Sequence, residues 1–150
     1  MREIERKFLI KKLPEALDSY PRKVISQGYL VLEENGLEIR LRKSNDDFYL
    51  TVKRKHGMVR EEQEIPLTEE QWSGLWPMTE GRRLRKIRFE IPCGERTVEL
   101  DVFQGQSDGM VLADVEFPSV EAAREFVPPP WFGNEVTGDP EYSNRKRAVE

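Results

Sequence analysis

Acidic side chains fall two residues apart at four places in this sequence. These are Glu3 and Glu5 in EIERK, Glu62 and Glu64 in EEQEI, Glu99 and Asp101 in ELDVF, and Asp114 and Glu116 in ADVEF. Basic side chains do the same at Arg40 and Arg42 in EIRLR and at Lys86 and Arg88 in RKIRF, while Lys7 extends the first acidic pair and Lys53 alternates with Val52. In a β-strand, residues two apart share a face. Two carboxylates placed so lie roughly 6–7 Å apart, and at an effective dielectric of about 20 they repel by about 2–3 kcal/mol. Four such pairs on one surface call for cations, and the basic pairs call for anions. A metal-bound polyanion meets both demands, with Mg²⁺ or Mn²⁺ on a phosphate chain as the candidate. The alternative is a one-sided antiparallel sheet whose charged face simply meets water. Glu, Asp and Lys are depleted in strands, yet here the charges recur and are sorted by sign, which weighs toward a ligand.

Strands must position these side chains, and alternation predicts them near 2–10, 23–33, 37–43, 47–54, 59–66, 84–91, 96–104 and 110–117. Asn35-Gly36 between the second and third suits a type I′ hairpin turn. Asn45-Asp46, His56-Gly57 and Cys93-Gly94 punctuate later pairs, so an antiparallel meander follows. Helical patterns are few. LPEALDSY (13–20) is a short candidate, and Thr68 with Gln71 three residues on has the spacing of a capping box. Ser119 can cap VEAAREFV, which Pro128-Pro129-Pro130 stops, and the tail EYSNRKRAVE reads as a last short helix. Trp72 and Trp76, four apart on the helix after Thr68, read as packing residues, as does Trp131.

Bulk composition sets the frame. The 150 residues fit one α+β domain, mostly β, with 35% charged and 37% apolar residues. Twenty-eight acids against 24 bases give a net charge of −4, which leaves no basic footprint for nucleic acid. The single cysteine, Cys93, excludes an internal disulfide, and the single histidine, His56, reads as a turn residue beside Gly57. Any metal is therefore held by oxygen, which favours hard cations. The chain shows no signal segment and no 18-residue apolar run, so a cytoplasmic location without membrane attachment is expected. Eight strands can close into a barrel just wide enough for side chains or one small ligand. Burying this many charges in a dry interior would cost several kcal/mol each, so the expected barrel is a hydrated tunnel with its apolar faces outward.

The ordered set ExExK (Glu3, Glu5, Lys7), RxR (Arg40, Arg42), Lys53, ExE (Glu62, Glu64), KxR (Lys86, Arg88), Asp101 and Asp114–Glu116 resembles the CYTH superfamily, the triphosphate tunnel metalloenzymes. QGYL, PPPWFG and EVTGDPEYSN resemble its compact bacterial branch, which includes inorganic triphosphatases. The resemblance spans the chain. It implies an eight-stranded antiparallel tunnel and metal-dependent cleavage of a small-molecule triphosphate to phosphate and pyrophosphate. Lys7, Arg40, Arg42, Lys53, Lys86 and Arg88 would bind phosphate. Glu3, Glu5, Glu62, Glu64, Asp101, Asp114 and Glu116 would supply metal ligands, with Glu3, Glu5 and Glu116 foremost. A lysine–tyrosine pair assists proton transfer in some relatives, which here implies Tyr29 with Lys53 or Lys86. Two positions depart from the pattern. Asp114 stands where Glu is common, and Arg147 stands where the last helix usually carries an apolar residue; we read Arg147 as a tail residue rather than a tunnel closure. The same scaffold accommodates thiamine triphosphate, nucleoside triphosphates or ATP cyclisation, and a non-catalytic polyphosphate-binding module is the alternative from another class. No aromatic platform for a base or thiamine ring is evident, which favours a phosphate-only substrate.

Overall fold

Alternation becomes one antiparallel sheet. The computed structural model describes the backbone of residues 3–56 and 59–150, and their side chains except Lys55, His56 and Val59. The turn expected at His56-Gly57 and the first residues of the first strand lie outside the described residues. The strands are β1 (Glu5–Ile10), β2 (Arg22–Leu32), β3 (Glu38–Ser44), β4 (Asp47–His56), β5 (Val59–Leu67), β6 (Arg83–Cys93), β7 (Arg96–Gln104), β8 (Val111–Glu116) and β9 (Phe132–Glu135). The helices are α1 (Glu69–Leu75), α2 (Val120–Glu125) and α3 (Asn144–Arg147). None of the described helices is long and apolar enough to cross a membrane.

The strand order is β5-β4-β3-β2-β6-β7-β8-β1-β9. Two meanders, β2–β5 and β6–β8, therefore join through the β2–β6 pairing, and β1 returns beside β8. This corrects the expected closed barrel of eight strands. Nine strands form among the described residues, and no ladder joins β5 to the other edge. The reason lies at β1. Its free edge is taken by β9, with Phe8 opposite Glu135 and Ile10 opposite Phe132. The Val136 N–H then donates to Lys7 O (2.8 Å) and the Lys7 N–H to Thr137 Oγ1 (2.9 Å). With that edge satisfied, β1 cannot take β5 as a neighbour; β5 and the four-residue β9 are left as the two edges, and Lys53 and Glu3 meet across the seam.

Apolar parity faces outward where expected. Phe8, Phe89, Ile91, Val98, Leu100, Ala113 and Val115 form a core with Phe117, Phe132 and Ala123 of α2, with Ile4 and Ile10 packed against it. Ser119 caps α2 and Thr68 caps α1 in a full capping box, as the spacing predicts. Trp72 and Trp76 stack at 4.6 Å and cover the other meander. Gly28 is where they come closest, since a Cβ there would sit 2.6 Å from Thr79 Oγ1 and 2.8 Å from the Trp76 ring. Phe8 is 1% exposed and stacks against Phe132 at 4.9 Å. Phe8→Ala should cost about 3–5 kcal/mol, read as an earlier denaturant midpoint with an unchanged slope.

Three local expectations are corrected. Gly36 has φ 95° but Asn35 stays out of the positive-φ region, so the β2–β3 turn is not type I′. LPEALDSY holds only one 3₁₀ turn, Leu17–Ser19, because none of that turn is buried and no side chain caps it, unlike the short helices α1 and α2. The inward face is also not charged throughout. Tyr29, Leu84, Phe103 and Leu112 point inward with Leu9 and meet Ala148 and Tyr142 from the C-terminal segment, so one end of the concave face is an apolar plug.

Candidate active site

Above this plug lies a cavity of about 560 Å³ whose lining is dominated by charge. The inward parity of each strand contributes its rank: Glu5 and Lys7 from β1, Arg40 and Arg42 from β3, Lys53 from β4, Glu62 and Glu64 from β5, Arg88 from β6, and Asp114 and Glu116 from β8, with Glu3 just before β1. Register aligns them across strands, with Glu5 opposite Glu116, Lys7 opposite Asp114, and Lys53 between Glu38 and Glu62. The one aromatic lining residue among those described is Tyr29, and it is 1% exposed.

The bases divide into two groups. Arg40 is 4% exposed, yet among the described residues its side chain makes only a 3.4 Å contact from Nη2 to Thr51 Oγ1, and its Nε has no hydrogen-bond partner there. Arg42, half-buried, donates from Nε to Gln27 Oε1 at 2.9 Å. Neither has a carboxylate at ion-pair distance among the described residues. Burial, then Arg40 and Arg88, push the Arg42 guanidinium down to about 9 against the pull of Asp101. Cations withdrawn from water without a paired carboxylate are expensive, so these two arginines fit an anion site. The other bases are engaged: Lys53 Nζ lies 3.5 Å from Glu3, and Lys7 Nζ lies 3.1 Å from Tyr142 O and 3.8 Å from Asp114.

Carboxylates crowd the opposite wall. Burial and a hydrogen bond with Glu3 push Glu62 up to about 7; against its own burial, that bond and Lys53 hold Glu3 below the usual carboxylate range. The two carboxyl groups thus meet at the seam with their proton affinities shifted in opposite directions, and Glu62 Oε2 is buried without a hydrogen-bond partner among the described residues. Asp114 is pushed up to about 7 by burial, then by Glu5 and Asp101, against the pull of Lys7, and its Oδ1 is buried with Lys7 at 3.8 Å but no hydrogen-bond partner among the described residues. Burial and then Glu99, Glu3 and Glu5 raise Glu116.

Such proton-holding acids fit a hard divalent cation, which would take the protons' place. Among the described residues no three acidic groups are set to hold a metal by themselves. That suits Mg²⁺ and its like, which bind through one or two carboxylates and complete the shell with water and substrate phosphate. Glu62 and Asp114 also fix a pH dependence. Their folded values lie above the ordinary acid values near 4, so the fold binds more protons than the unfolded chain up to about pH 7. In EDTA the melting temperature should fall as pH rises from 5 to 7, and added Mg²⁺ should restore it most at pH 7. A melting temperature that climbs over that interval without metal would contradict the assignment.

Tyr29, Lys86 and Asp101 are placed differently from the rest. The Tyr29 hydroxyl accepts from Gln27 Nε2 at 2.9 Å and bonds neither Lys53 nor Lys86; burial, then Glu38, push it up to about 12. Lys86 and Asp101 are sealed behind the wall and line no part of the cavity. Burial, with Arg88 and Arg42, pushes Lys86 down to about 7 against the pull of Asp101. Asp101, despite its own burial, is held well below the carboxylate range by Lys86 and Arg88. Arg147 donates to Glu141 at 2.9 Å and is not among the cavity-lining residues, but it is half-buried and its Nε has no hydrogen-bond partner among the described residues, so it is not a freely solvated tail residue.

Glu99, from the third acidic pair, and Glu38, in phase with Arg40 and Arg42, also line the cavity. Arg60 has the parity of Glu62 and Glu64 in β5 but was not singled out, although the same rule reaches it. Arg54, Thr137 and Arg145 were not singled out either, and the alternation of charges does not mark them.

Residues 1–128 match the CYTH domain. The chain is 43% identical over 152 residues to an inorganic triphosphatase of Nitrosomonas europaea, covering 99% of this chain and 98% of that protein. It is 37% identical over 147 residues to an inorganic triphosphatase of Acetivibrio thermocellus, covering 95% and 90%. A crystal structure of an inorganic triphosphatase superposes with a TM-score of 0.76 at 39% identity, covering 100% of this chain and 96% of that one.

Proposed function

The chain belongs to the CYTH family, and on that premise we propose that its cavity cleaves inorganic triphosphate to pyrophosphate and phosphate with Mg²⁺ or Mn²⁺. The observation that carries this reading is the pair of buried Arg40 and half-buried Arg42, which line the wall with no carboxylate at ion-pair distance among the described residues and face acids whose proton affinity is raised. Lys7, Arg40, Arg42, Lys53 and Arg88 would grip the phosphate oxygens and hold the chain in line. Glu3, Glu5, Glu62, Glu64, Asp114 and Glu116 would hold the cation, directly or through water. The cation, when bound, offsets charge on the phosphate oxygens and acts as Lewis acid toward the leaving oxygen. Water adds to the terminal phosphorus, the bridging P–O bond breaks, and the water's proton passes to a group of the wall. Of the lysine–tyrosine set, Lys53 is the candidate to assist that transfer, because it lines the cavity and could first pass its own proton to Glu3 at 3.5 Å before accepting the water's. Tyr29 keeps its proton up to about 12 and would instead donate a hydrogen bond to phosphate.

A substrate confined to phosphate is supported by the lining itself, which among the described residues offers no exposed aromatic ring for a nucleobase or thiamine. The free thiol of Cys93 suits the reducing cytoplasm we propose as its location. Turnover on triphosphate, ATP, thiamine triphosphate and pyrophosphate should be compared, with and without EDTA. Triphosphate should lead by at least tenfold in kcat/KM, and EDTA should abolish its cleavage; preference for ATP or thiamine triphosphate would replace this reading. Glu5→Gln should lose activity by two orders of magnitude or more, on the scale of a lost electrostatic contact at the reacting centre, with an unchanged or higher melting temperature.

A further inference from the structure

Lys86 and Asp101 have the inward parity of phosphate and metal binders, yet they are 0% and 1% exposed and stand outside the cavity. Both oxygens of Asp101 are taken by cations. Arg88 Nε donates to Oδ1 at 2.8 Å, Arg88 Nη2 to Oδ2 at 3.0 Å, and Lys86 Nζ lies 2.8 Å from Oδ2. A carboxylate so enclosed has no free direction for a metal. Lys86 in turn donates to Asn144 Oδ1 at 3.0 Å and lies 5.5 Å from the Phe103 ring centroid, which leaves it no path to a phosphate. Asn144 opens α3 at the cavity rim, and Arg88 lines the wall. An unbroken chain, Asn144–Lys86–Asp101–Arg88, therefore runs from the C-terminal segment to a guanidinium in the cavity. Arg88 Nη1 also donates to Glu99 at 2.9 Å, so three of its five N–H groups are fixed and two outer ones remain.

We propose that Asn144, Lys86 and Asp101 are positioning residues that lock Arg88 so that its two remaining N–H groups meet a phosphate. Lys86 is then neither a phosphate contact nor a base, and Asp101 is not a metal ligand. This rests on the triphosphate reading above. Outer partners that orient a binding group are worth roughly tenfold to a hundredfold in affinity or activity.

The test is calorimetric binding of an imido-bridged, non-hydrolysable triphosphate in saturating Mg²⁺, with Asn144→Ala and Lys86→Met made separately in wild-type and in Arg88→Ala backgrounds. Each single variant should weaken binding at least tenfold, and each effect should shrink to less than twofold once Arg88 is alanine. The Mg²⁺ concentration for half-maximal binding should stay within twofold of wild type. Effects that multiply with Arg88→Ala, or a Mg²⁺ requirement that shifts tenfold, would overturn the proposal. Because Lys86→Met changes a buried group, its far-ultraviolet circular dichroism is checked; if it is unfolded, Asn144→Ala alone decides. A wild-type protein that fails to bind the analogue overturns the triphosphate reading and this inference together. One that binds but does not cleave triphosphate overturns only hydrolysis, and the relay is still decided by the variants.

Discussion

Arg40→Met is expected to lower kcat/KM for triphosphate by two to three orders of magnitude while leaving the melting temperature unchanged or higher. Arg40 is 4% exposed, has no carboxylate at ion-pair distance among the described residues, and carries a buried Nε–H with no acceptor. In the free protein that charge is a burden, and it adds to the repulsion that depresses Arg42. Methionine keeps much of the stem's volume and removes the charge, so the fold is relieved. In the proposed reaction the same group would donate to phosphate, and loss of one such donor costs about 10²–10³ in rate. Steady-state kinetics beside a thermal melt checks both halves. A variant that is crippled and also melts earlier would show Arg40 to be structural.

Asp101→Ala should have the opposite profile, with the largest stability loss of any single change in the site. Asp101 lies between two buried cations, at 2.8 Å from Lys86 and 2.8 Å from Arg88. Removing it leaves Lys86 and Arg88 buried side by side with their shared counter-charge gone. Breaking a buried pair in this way costs about 3–5 kcal/mol. Lys86→Met should cost clearly less, because Asp101 keeps both bonds to Arg88. Denaturant midpoints of the two variants check the asymmetry. Equal losses would mean that the Lys86 contact, and not the shared carboxylate, stabilises the cluster.

The parity of the charges was legible because a strand's side-chain period is two, and one rule placed Glu5, Arg40, Lys53, Glu64 and Arg88 on a common wall. The outward core around Phe8 followed from the same rule. Parity names a face but not a depth. It could not separate Arg88, which lines the cavity, from Lys86, two residues before it and sealed behind it. Nor could it show that Leu84, Phe103 and Leu112, on the inward parity, would gather with Ala148 into a plug. β9 went unread because FGNE is four residues long with a glycine and no alternating apolar pair, and its pairing depends on the far edge of β1. That one strand also keeps β5 from pairing with β1. Rim residues such as Thr137 and Arg145 had no periodic signal, since tertiary folding alone brings them to the mouth.

The central claim is that sorted charges on a β-sheet wall make a metal-dependent site for triphosphate. The most direct measurement is ³¹P NMR of inorganic triphosphate incubated with the purified protein and Mg²⁺. Orthophosphate and pyrophosphate should accumulate one to one, pyrophosphate should persist, and EDTA should stop both signals. Triphosphate left intact in Mg²⁺ and in Mn²⁺ across neutral and alkaline pH would contradict the account.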